Sequence, residues 1–219
     1  MLISNAGYTP VEAFIYDRFI APTVVKMAMN LTNETAASIK SGSEILDVGC
    51  GGGQFAIELA SRRSDLSVTG LDLSMPQIRR ARKRAASSGV NAVFVEGNAM
   101  KLPFENERFD IIISTGCIKH WPDKIAGLHE GLRVLKQGGV MIIAEVDKNC
   151  PAETAASFIP DWRIPRIIKS GAVCFFLKMI AGRSIGIEDA LKMAASIPVS
   201  KADAELIFGG LFWIMLAVK

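Results

Sequence analysis

The fold is decided by one stretch of sequence, Ile45-Leu46-Asp47-Val48-Gly49-Cys50-Gly51-Gly52-Gly53. The run 44–48 is brief, apolar and bounded by glycine, so it predicts a buried strand, and residues 54–60 predict an amphipathic helix. Between them, glycine occupies alternate positions, which permits a tight turn and the close approach of a ligand. Because the N-terminus of the helix adds unpaired N–H groups, the sequence predicts a ligand site at this turn.

The spacing of the glycines separates two nucleotide-binding patterns. The dinucleotide pattern requires glycine at the first, third and sixth positions. It fails when counted from Gly49, because Gln54 is sixth, and it fits from Gly51 only with a turn that starts late. The pattern acid-x-Gly-x-Gly-x-Gly fits Asp47, Gly49, Gly51 and Gly53 without adjustment. The stretch resembles motif I of the class I S-adenosylmethionine-dependent methyltransferases, in which the glycine turn passes under the methionine part of the cofactor.

Composition limits the class of protein. The chain has 219 residues, 50% hydrophobic and 21% charged, with a net charge of +3. These values predict a globular domain with a sizeable core and give no support by themselves for nucleic-acid binding. The four cysteines are widely separated, without CxxC or zinc spacing, so we expect reduced thiols, a cytoplasmic location and no metal. We expect no signal peptide, and the apolar segment 206–218 is too short to span a membrane.

Apolar runs continue an alternating pattern of strands and helices along the chain. After 44–48 we predict strands at 67–72, 92–96, 108–114 and 140–145, helices at 74–88 and 123–135, and a terminal hairpin of strands at 201–208 and 211–218. The resemblance implies a doubly wound, Rossmann-like α/β sheet of seven strands with the last strand antiparallel. It also implies N-terminal helices and a cap insertion before the terminal hairpin.

We predict a single methyltransferase domain over residues 1–219. Its parts are an N-terminal helical cover at 1–43, a cofactor-binding core at 44–145, a variable cap at 146–198 and the terminal hairpin at 199–219. The cover contains Tyr16, in a segment similar to the tyrosine-containing segment of several small-molecule methyltransferases. The resemblance implies a contact between Tyr16 and the cofactor, and packing of its helix on the core is the alternative.

The resemblance implies further cofactor ligands at the ends of later strands. Asp72 ends the second strand, where a carboxylate can accept hydrogen bonds from both ribose hydroxyls, and a helix cap is its alternative role. Asn98 stands where the family commonly has an aspartate bound to the adenine amino group, and its amide oxygen can also accept. Asp47 is expected to stabilise the turn and approach the cofactor. The other predicted cofactor contacts, besides the three glycines, are Cys50, Leu73, Ala99 and Thr115.

The segment 115–121 follows the fourth strand, at the edge of the sheet where chemistry takes place in open parallel sheets. It contains His120, and many small-molecule members of the family have a histidine in this loop. His120 is a candidate general base, or alternatively a residue that hydrogen-bonds and holds the loop. The Asn/Asp-Pro-Pro-aromatic and Pro-Cys motifs of nucleic-acid methyltransferases are absent after this strand. Nucleic acid is therefore disfavoured, and we expect a small-molecule acceptor.

Two segments are strongly basic. The helix at 74–88 carries five Lys or Arg residues, which predicts a solvated face, with a docking face for an acidic partner or RNA as the alternative. Residues 162–183 carry five basic residues and no acid among many apolar ones. They predict a cap helix packed on the sheet, or alternatively a basic amphipathic lid that contacts a membrane surface or a lipophilic acceptor.

The sequence therefore predicts transfer of a methyl group from S-adenosylmethionine to a small, lipophilic acceptor by direct in-line displacement, with S-adenosylhomocysteine as product. An NAD-dependent oxidoreductase and a non-catalytic S-adenosylmethionine-binding protein are the alternatives. The sequence leaves open the acceptor, the atom type that is methylated and the oligomeric state.

Overall fold

A computed structural model of the chain describes residues 39–158 and 169–219. The strands in these ranges are Glu44–Val48 (β1), Ser67–Asp72 (β2), Ala92–Glu96 (β3), Phe109–Thr115 (β4), Leu135–Val146 (β5), Lys201–Ile207 (β6) and Phe212–Val218 (β7). The α-helices are Gln54–Arg62 (α1), Met75–Ser88 (α2), Lys124–Val134 (α3), Ala152–Phe158 (α4), Lys169–Phe175 (α5) and Ile187–Ser196 (α6). The predicted N-terminal helices with Tyr16, and residues 162–168 of the basic segment, lie outside the described residues.

The sheet has the order β3-β2-β1-β4-β5-β7-β6. β1 pairs in parallel with β2 and with β4, while β7 pairs antiparallel with both β5 and β6. The predicted seven-stranded sheet with an antiparallel last strand is thus confirmed. Strand order reverses between β1 and β4, and ligands of open α/β sheets bind beyond the carboxyl ends of the strands at such a point.

The boundary between α3 and β5 differs from the prediction. The strand begins at Leu135 rather than at residue 140, because the buried Leu135 already pairs with Phe109. The register then shifts, and the intervening residues form a bulge in which Gly138 has a φ of 73°. The N–H of Gly138 donates to the carbonyl of Lys219 at 3.0 Å, which joins the bulge to the end of the sheet. Gly138 and the adjacent Gly139 therefore lie in a strand bulge, whereas the prediction of a helix at 123–135 followed by a strand from 140 placed them in the connection between the two.

Alternating residues of the central strands pack into two apolar layers, one on each face of the sheet. On one face, Ile45 of β1 packs in a cluster with residues of α1 and α2, including Ile78. On the opposite face, Leu46 packs with residues of α3 and of α6, a helix that the sequence did not predict. Trp213 of β7 is completely buried there, and its Nε1 donates to the carbonyl of Ile185 at 3.0 Å. Burial on both faces explains the continuous apolar runs of the central strands.

A third apolar cluster covers one end of the sheet. It joins Val146, at the carboxyl end of β5, and Phe212, at the start of β7, to Phe158 of α4 and Phe176 beyond α5. The rings of Phe158 and Phe176 lie 5.9 Å apart, and Phe176 is 1% exposed. The described part of the basic segment therefore packs on the sheet as a cap. None of the helices in the described ranges has the length and apolar character needed to cross a bilayer.

Candidate functional site

The glycine turn joins β1 to α1, and its glycines have different roles. All three adopt left-handed φ angles, 81° at Gly49, 53° at Gly51 and 77° at Gly53. A Cβ at Gly49 would overlap the side chain of Cys117, and one at Gly53 would lie 2.7 Å from the ring of Phe94. At Gly51 the nearest atom would be 4.0 Å away. Protein atoms therefore fill the space at two of these glycines, and Gly51 is the one that leaves room for a ligand.

Asp72 lies beside this turn, with both carboxylate oxygens bound to backbone. Its Oδ2 accepts from the N–H of Gly51 at 2.9 Å, and its Oδ1 accepts from the N–H of Ser74 at 2.8 Å. Burial raises the pKa of Asp72, and these two N–H groups oppose that shift. Each oxygen has a further lone pair, so the carboxylate is held in place and can still accept from two hydroxyls. The backbone role and a ribose role are thus compatible.

Asp47 is the most unusual charged group of the site. The residue is 3% exposed, and its Oδ2 has no hydrogen-bond partner among the described residues. Burial, with a smaller contribution from the charge of Asp72, raises the pKa of Asp47 to about 7. A buried acceptor without a partner requires an explanation, and a cationic or hydrogen-bonding ligand at the turn provides one.

Backbone and arginine contacts hold the turn rigidly. The carbonyl of Leu71 in β2 accepts from the N–H groups of Gly49 and Cys50, at 2.7 and 2.9 Å. The guanidinium of Arg84 in α2 donates to the carbonyl of Gly52. The basic face of α2 thus stabilises the turn as well as facing solvent, which the prediction of a solvated face did not include.

The second basic contact of α2 reaches the edge of the sheet. Arg82 donates through Nη2 to the carbonyl of Phe94 in the edge strand β3, at 2.7 Å. Arg79 and Lys83 are exposed, as the sequence predicted for this face.

The predicted adenine contacts lie next to Asp72. Leu73 is 56% exposed, which is unusual for a leucine beside a buried turn and leaves an apolar surface for a flat ring. Asn98 follows β3, and its amide oxygen accepts from the N–H of Met100 at 2.9 Å. Ala99 is buried. The N–H of Gly97 donates to the carbonyl of Asp72 at 3.0 Å, so this loop is joined to the proposed ribose site.

The loop after β4 carries His120 at the same edge of the sheet. His120 is exposed, and partial loss of hydration together with the charge of Lys119 lowers its pKa to about 4. The ring is therefore neutral near pH 7 and can accept a proton, although as a weak base. Thr115, the last residue of β4, is half-buried.

A buried ion pair, which the sequence reasoning missed, holds this loop. Lys119 Nζ lies 2.8 Å from Glu145 Oε1, with side-chain exposures of 8% and 0%. The same oxygen accepts from the N–H of Val146 at 2.9 Å. The sequence contained an acid at the end of the fifth strand, but no spacing rule connects residues that are 26 positions apart.

The two thiols beside the turn are not nucleophiles. Burial raises the pKa of Cys50 well above its usual range and that of Cys117 to about 12, so both remain protonated. Cys117 Sγ accepts from Trp121 Nε1 at 3.3 Å and packs against Gly49. Among the described residues, no group of three or more His, Cys, Asp or Glu side chains is arranged to hold a metal ion.

Comparison with known proteins assigns the family. A family profile described as a methyltransferase domain matches residues 39–171, more than half of the chain. The chain therefore belongs to this methyltransferase family.

Two curated relatives match the same part of the chain. The chain is 39% identical over 107 residues to 2-methyl-6-phytyl-1,4-hydroquinone methyltransferase 1, chloroplastic, of Oryza sativa subsp. japonica, covering 49% of this chain and 32% of that protein. It is 32% identical over 127 residues to 27-O-demethylrifamycin SV methyltransferase of Amycolatopsis mediterranei, covering 56% of this chain and 46% of that protein. The chain spans less than half the length of each relative.

A solved structure confirms the fold. A protein of Methanococcus maripaludis described as a candidate S-adenosyl-L-methionine-dependent methyltransferase superposes with a TM-score of 0.73 at 24% identity, over 94% of this chain and 90% of that chain. At 24% identity, this structural similarity supports the fold and nothing further.

The residues of the site fit S-adenosylmethionine. The open side of Gly51 accommodates the close approach of a ligand, and Asp72 offers free lone pairs to hydroxyl groups. The unpartnered oxygen of Asp47 suits the positive charge that this cofactor carries. The turn is held by internal hydrogen bonds, so it is formed before a ligand binds.

Proposed function

We propose that the protein transfers a methyl group from S-adenosylmethionine to a small, lipophilic acceptor, within one methyltransferase domain. The observation that carries the proposal is the open side of Gly51 beside the fixed carboxylate of Asp72 and the unpartnered oxygen of Asp47. Membership of the methyltransferase family supports it. When bound, the cofactor supplies an activated methyl group on a sulfonium.

The residues of the chain then bind the cofactor, orient it and shield it from water. Asp72 accepts from the ribose hydroxyls, and Leu73 covers one face of the adenine. Asn98 keeps one lone pair for the adenine amino group, because its oxygen already accepts from Met100. Asp47 balances the positive charge of the cofactor. Positioning the acceptor in line with the sulfonium is then the main catalytic task.

A lipophilic acceptor is supported by the cap. The apolar cluster around Phe158 and Phe176 covers the carboxyl end of β5, next to the loop that carries His120. The two relatives act, by their names, on a phytyl hydroquinone and on a demethylrifamycin, which are organic small molecules. This favours a small molecule over nucleic acid.

His120 is the proposed general base. Because the pKa of His120 is about 4, the ring is already neutral above pH 6, and catalysis that depends on it should not change between pH 6 and 8. His120→Ala should lower kcat about 10²–10⁴-fold, the usual contribution of a positioned base, with little effect on cofactor affinity. An unchanged kcat would leave His120 with the role of holding the loop.

Peripheral membrane contact is a second, narrower proposal. Phe175 of α5 is 48% exposed, and the neighbouring Lys178 and Arg183 are exposed as well. Exposed aromatic and basic side chains on one segment suit an anionic lipid surface. The free thiols of the four cysteines suit the predicted cytoplasmic location.

Two measurements test the proposed activity. Calorimetry should show binding of S-adenosylmethionine and S-adenosylhomocysteine but not of NAD. Binding of NAD without binding of S-adenosylmethionine would contradict the proposal and support the oxidoreductase alternative. The protein is then incubated with methyl-labelled cofactor and a cell extract, and the label is separated into organic, aqueous and macromolecular fractions. Label in the organic fraction supports a lipophilic acceptor, and label in the macromolecular fraction contradicts it. Asp72→Ala serves as the control, and it should transfer less label than the wild type when the cofactor is subsaturating.

A further inference from the structure

The ion pair of Lys119 with Glu145 is buried, although burial is unfavourable for both charges. Its side chains are 8% and 0% exposed, whereas those of the Arg62–Glu58 pair on α1 are 52% and 40% exposed. An apolar pair of similar size is often as stable as a buried ion pair, because each charge must lose its hydration. Stability alone therefore does not account for this pair, and a role in fixing one conformation is the alternative explanation.

The pair joins the loop after β4 to the end of the neighbouring strand β5. Lys119 is the middle residue of a short 3₁₀ turn, Ile118–His120, and Glu145 is the last residue but one of β5. The ammonium of Lys119 donates to Oε1 of Glu145 at 2.8 Å. Because the N–H of Val146 donates to the same oxygen, the carboxylate is itself fixed to its own strand. The turn is thus anchored to the sheet by a side chain directly next to His120.

The residues around His120 are also fixed. Ile118 is completely buried, and Trp121 is 6% exposed. The N–H of His120 donates to the carbonyl of Cys117 at 2.9 Å, and the indole nitrogen of Trp121 donates to the sulfur of Cys117 at 3.3 Å. The backbone is therefore held on both sides of His120, and the turn determines where its ring lies.

The turn also determines the surroundings of the ring. Partial loss of hydration is the main cause of the lowered pKa of His120, the charges of Lys119 and Lys124 lower it further, and the charge of Glu145 raises it. These charges come from the loop, from the start of α3 and from β5. A released turn would let water reach the ring and would move its pKa back towards the ordinary value of 6.5.

We propose that Lys119 and Glu145 are positioning residues, and that their ion pair fixes the turn that presents His120 to the acceptor. The inference rests on the proposed function, because it concerns the same transfer step. In that step a lone pair of the acceptor atom forms the bond to the methyl carbon, and the carbon–sulfur bond breaks with its electron pair left on sulfur. The neutral ring of His120 takes the proton that the acceptor loses. Lys119 and Glu145 act only through His120.

NMR titration tests the positioning without any acceptor. The chain has two histidines, so the ring signals of His120 and His129 can be assigned from one His→Ala variant, and the His129 signal serves as the internal reference. Glu145→Gln keeps the size of the side chain and removes its charge. We expect the pKa of His120 to rise from about 4 towards 6.5 in this variant, because the turn is released.

The direction of the change decides between a released turn and a fixed one. If the turn stays fixed, Glu145→Gln removes only a negative charge that raised the pKa of His120, and this pKa falls or stays at about 4. That result would overturn the inference. Glu58→Gln makes the same substitution in the exposed pair with Arg62 and is the matched control, which should leave the titration of His120 unchanged.

Methyl transfer at saturating cofactor gives a second readout, which a purely structural role would not produce. Glu145→Gln should lower the rate about tenfold or more in the wild type but should not lower it further in His120→Ala, because both changes remove the same positioned base. If Glu145→Gln does not fold, Lys119→Met/Glu145→Gln repeats the comparison without leaving an unpaired charge buried.

The two backgrounds also define the results that contradict the inference. Equal losses of rate with and without His120, or an unchanged rate in His120→Ala, would overturn it. A wild type that binds the cofactor but transfers no methyl group would instead refute the proposed function, and the catalytic role of the pair with it.

Discussion

Replacement of Asp47 by asparagine should stabilise the ligand-free protein, and increasingly so as the pH rises. The folded state raises the pKa of Asp47 from 3.8 to about 7, so between these values the folded chain holds a proton that the unfolded chain has released. The free energy of unfolding of the wild type therefore falls as the pH rises from about 4 to 7, and the full loss is reached above pH 7. Asparagine keeps the size of the side chain and removes this dependence.

The magnitude follows from the difference between the two pKa values. A shift of about three units at about 1.4 kcal/mol per unit corresponds to roughly 4 kcal/mol at pH 8 and roughly 1.5 kcal/mol at pH 5. The stability of Asp47→Asn relative to wild type should therefore increase by about 2.5 kcal/mol between pH 5 and pH 8. Nearly complete burial of Asp47 means that solvent screening reduces this value little.

Urea unfolding of the ligand-free protein at pH 5, 6.5 and 8 measures this difference. Asp189→Asn is the control with the opposite sign, because a hydrogen bond from Lys148 lowers the pKa of Asp189. That variant should be less stable than wild type by the same amount at all three pH values, because the lowered pKa of Asp189 makes this difference depend on pH only below about pH 4. A difference between Asp47→Asn and wild type that stays constant from pH 5 to 8 would refute the reasoning. It would mean that Asp47 is ionised and satisfied in the free protein.

Three further predictions concern the turn and the loop after β4. Asp72→Ala should weaken S-adenosylhomocysteine by about 1.5–3 kcal/mol in calorimetry, the value of hydrogen bonds to a charged group, and an unchanged affinity would remove Asp72 from the site. Gly49→Ala should lower the melting temperature more than Gly51→Ala, because only the new methyl group at position 49 overlaps a protein side chain. Gly51→Ala should instead cause the larger loss of ligand affinity. The reverse order of either effect would contradict the roles assigned to the two glycines. Lys119→Met should destabilise the protein by about 3–5 kcal/mol in urea unfolding, because it leaves Glu145 buried without its counter-charge, and a loss under 1 kcal/mol would mean that water reaches the carboxylate.

Much of the fold could be predicted because its signals are local. The strands at 44–48, 67–72 and 92–96 are confirmed to the residue, since short apolar runs bounded by glycine or polar residues mark strands buried on both faces. The predicted start of the fifth strand at residue 140 was wrong. The strand begins at Leu135, because pairing of Leu135 with Phe109, a residue distant in sequence, extends it beyond the range that local propensity indicates. The helix Ile187–Ser196 was missed in the variable stretch, although Asp189 in its first turn is a local N-terminal signal.

The candidate site likewise has features that could be predicted from local sequence and features that could not. Asp47, Asp72 and the glycines could be found because one βα turn and the next strand end carry them within a short interval. That the glycines differ, with Cys117 filling the space at Gly49 and open space remaining at Gly51, depends on a loop more than sixty residues away. No periodicity or spacing in one sequence contains that information.

The sequence by itself determined the order of the seven strands, the glycine turn and the acids on either side of it, because each depends on residues close together in the chain. Only the tertiary structure decided which of these groups lack a partner. The orphaned oxygen of Asp47 and the ion pair of Lys119 with Glu145 arise where distant segments meet. The physical reason is that burial and hydrogen bonding are properties of the packed chain, and these properties turn a common motif into a site with its own chemistry.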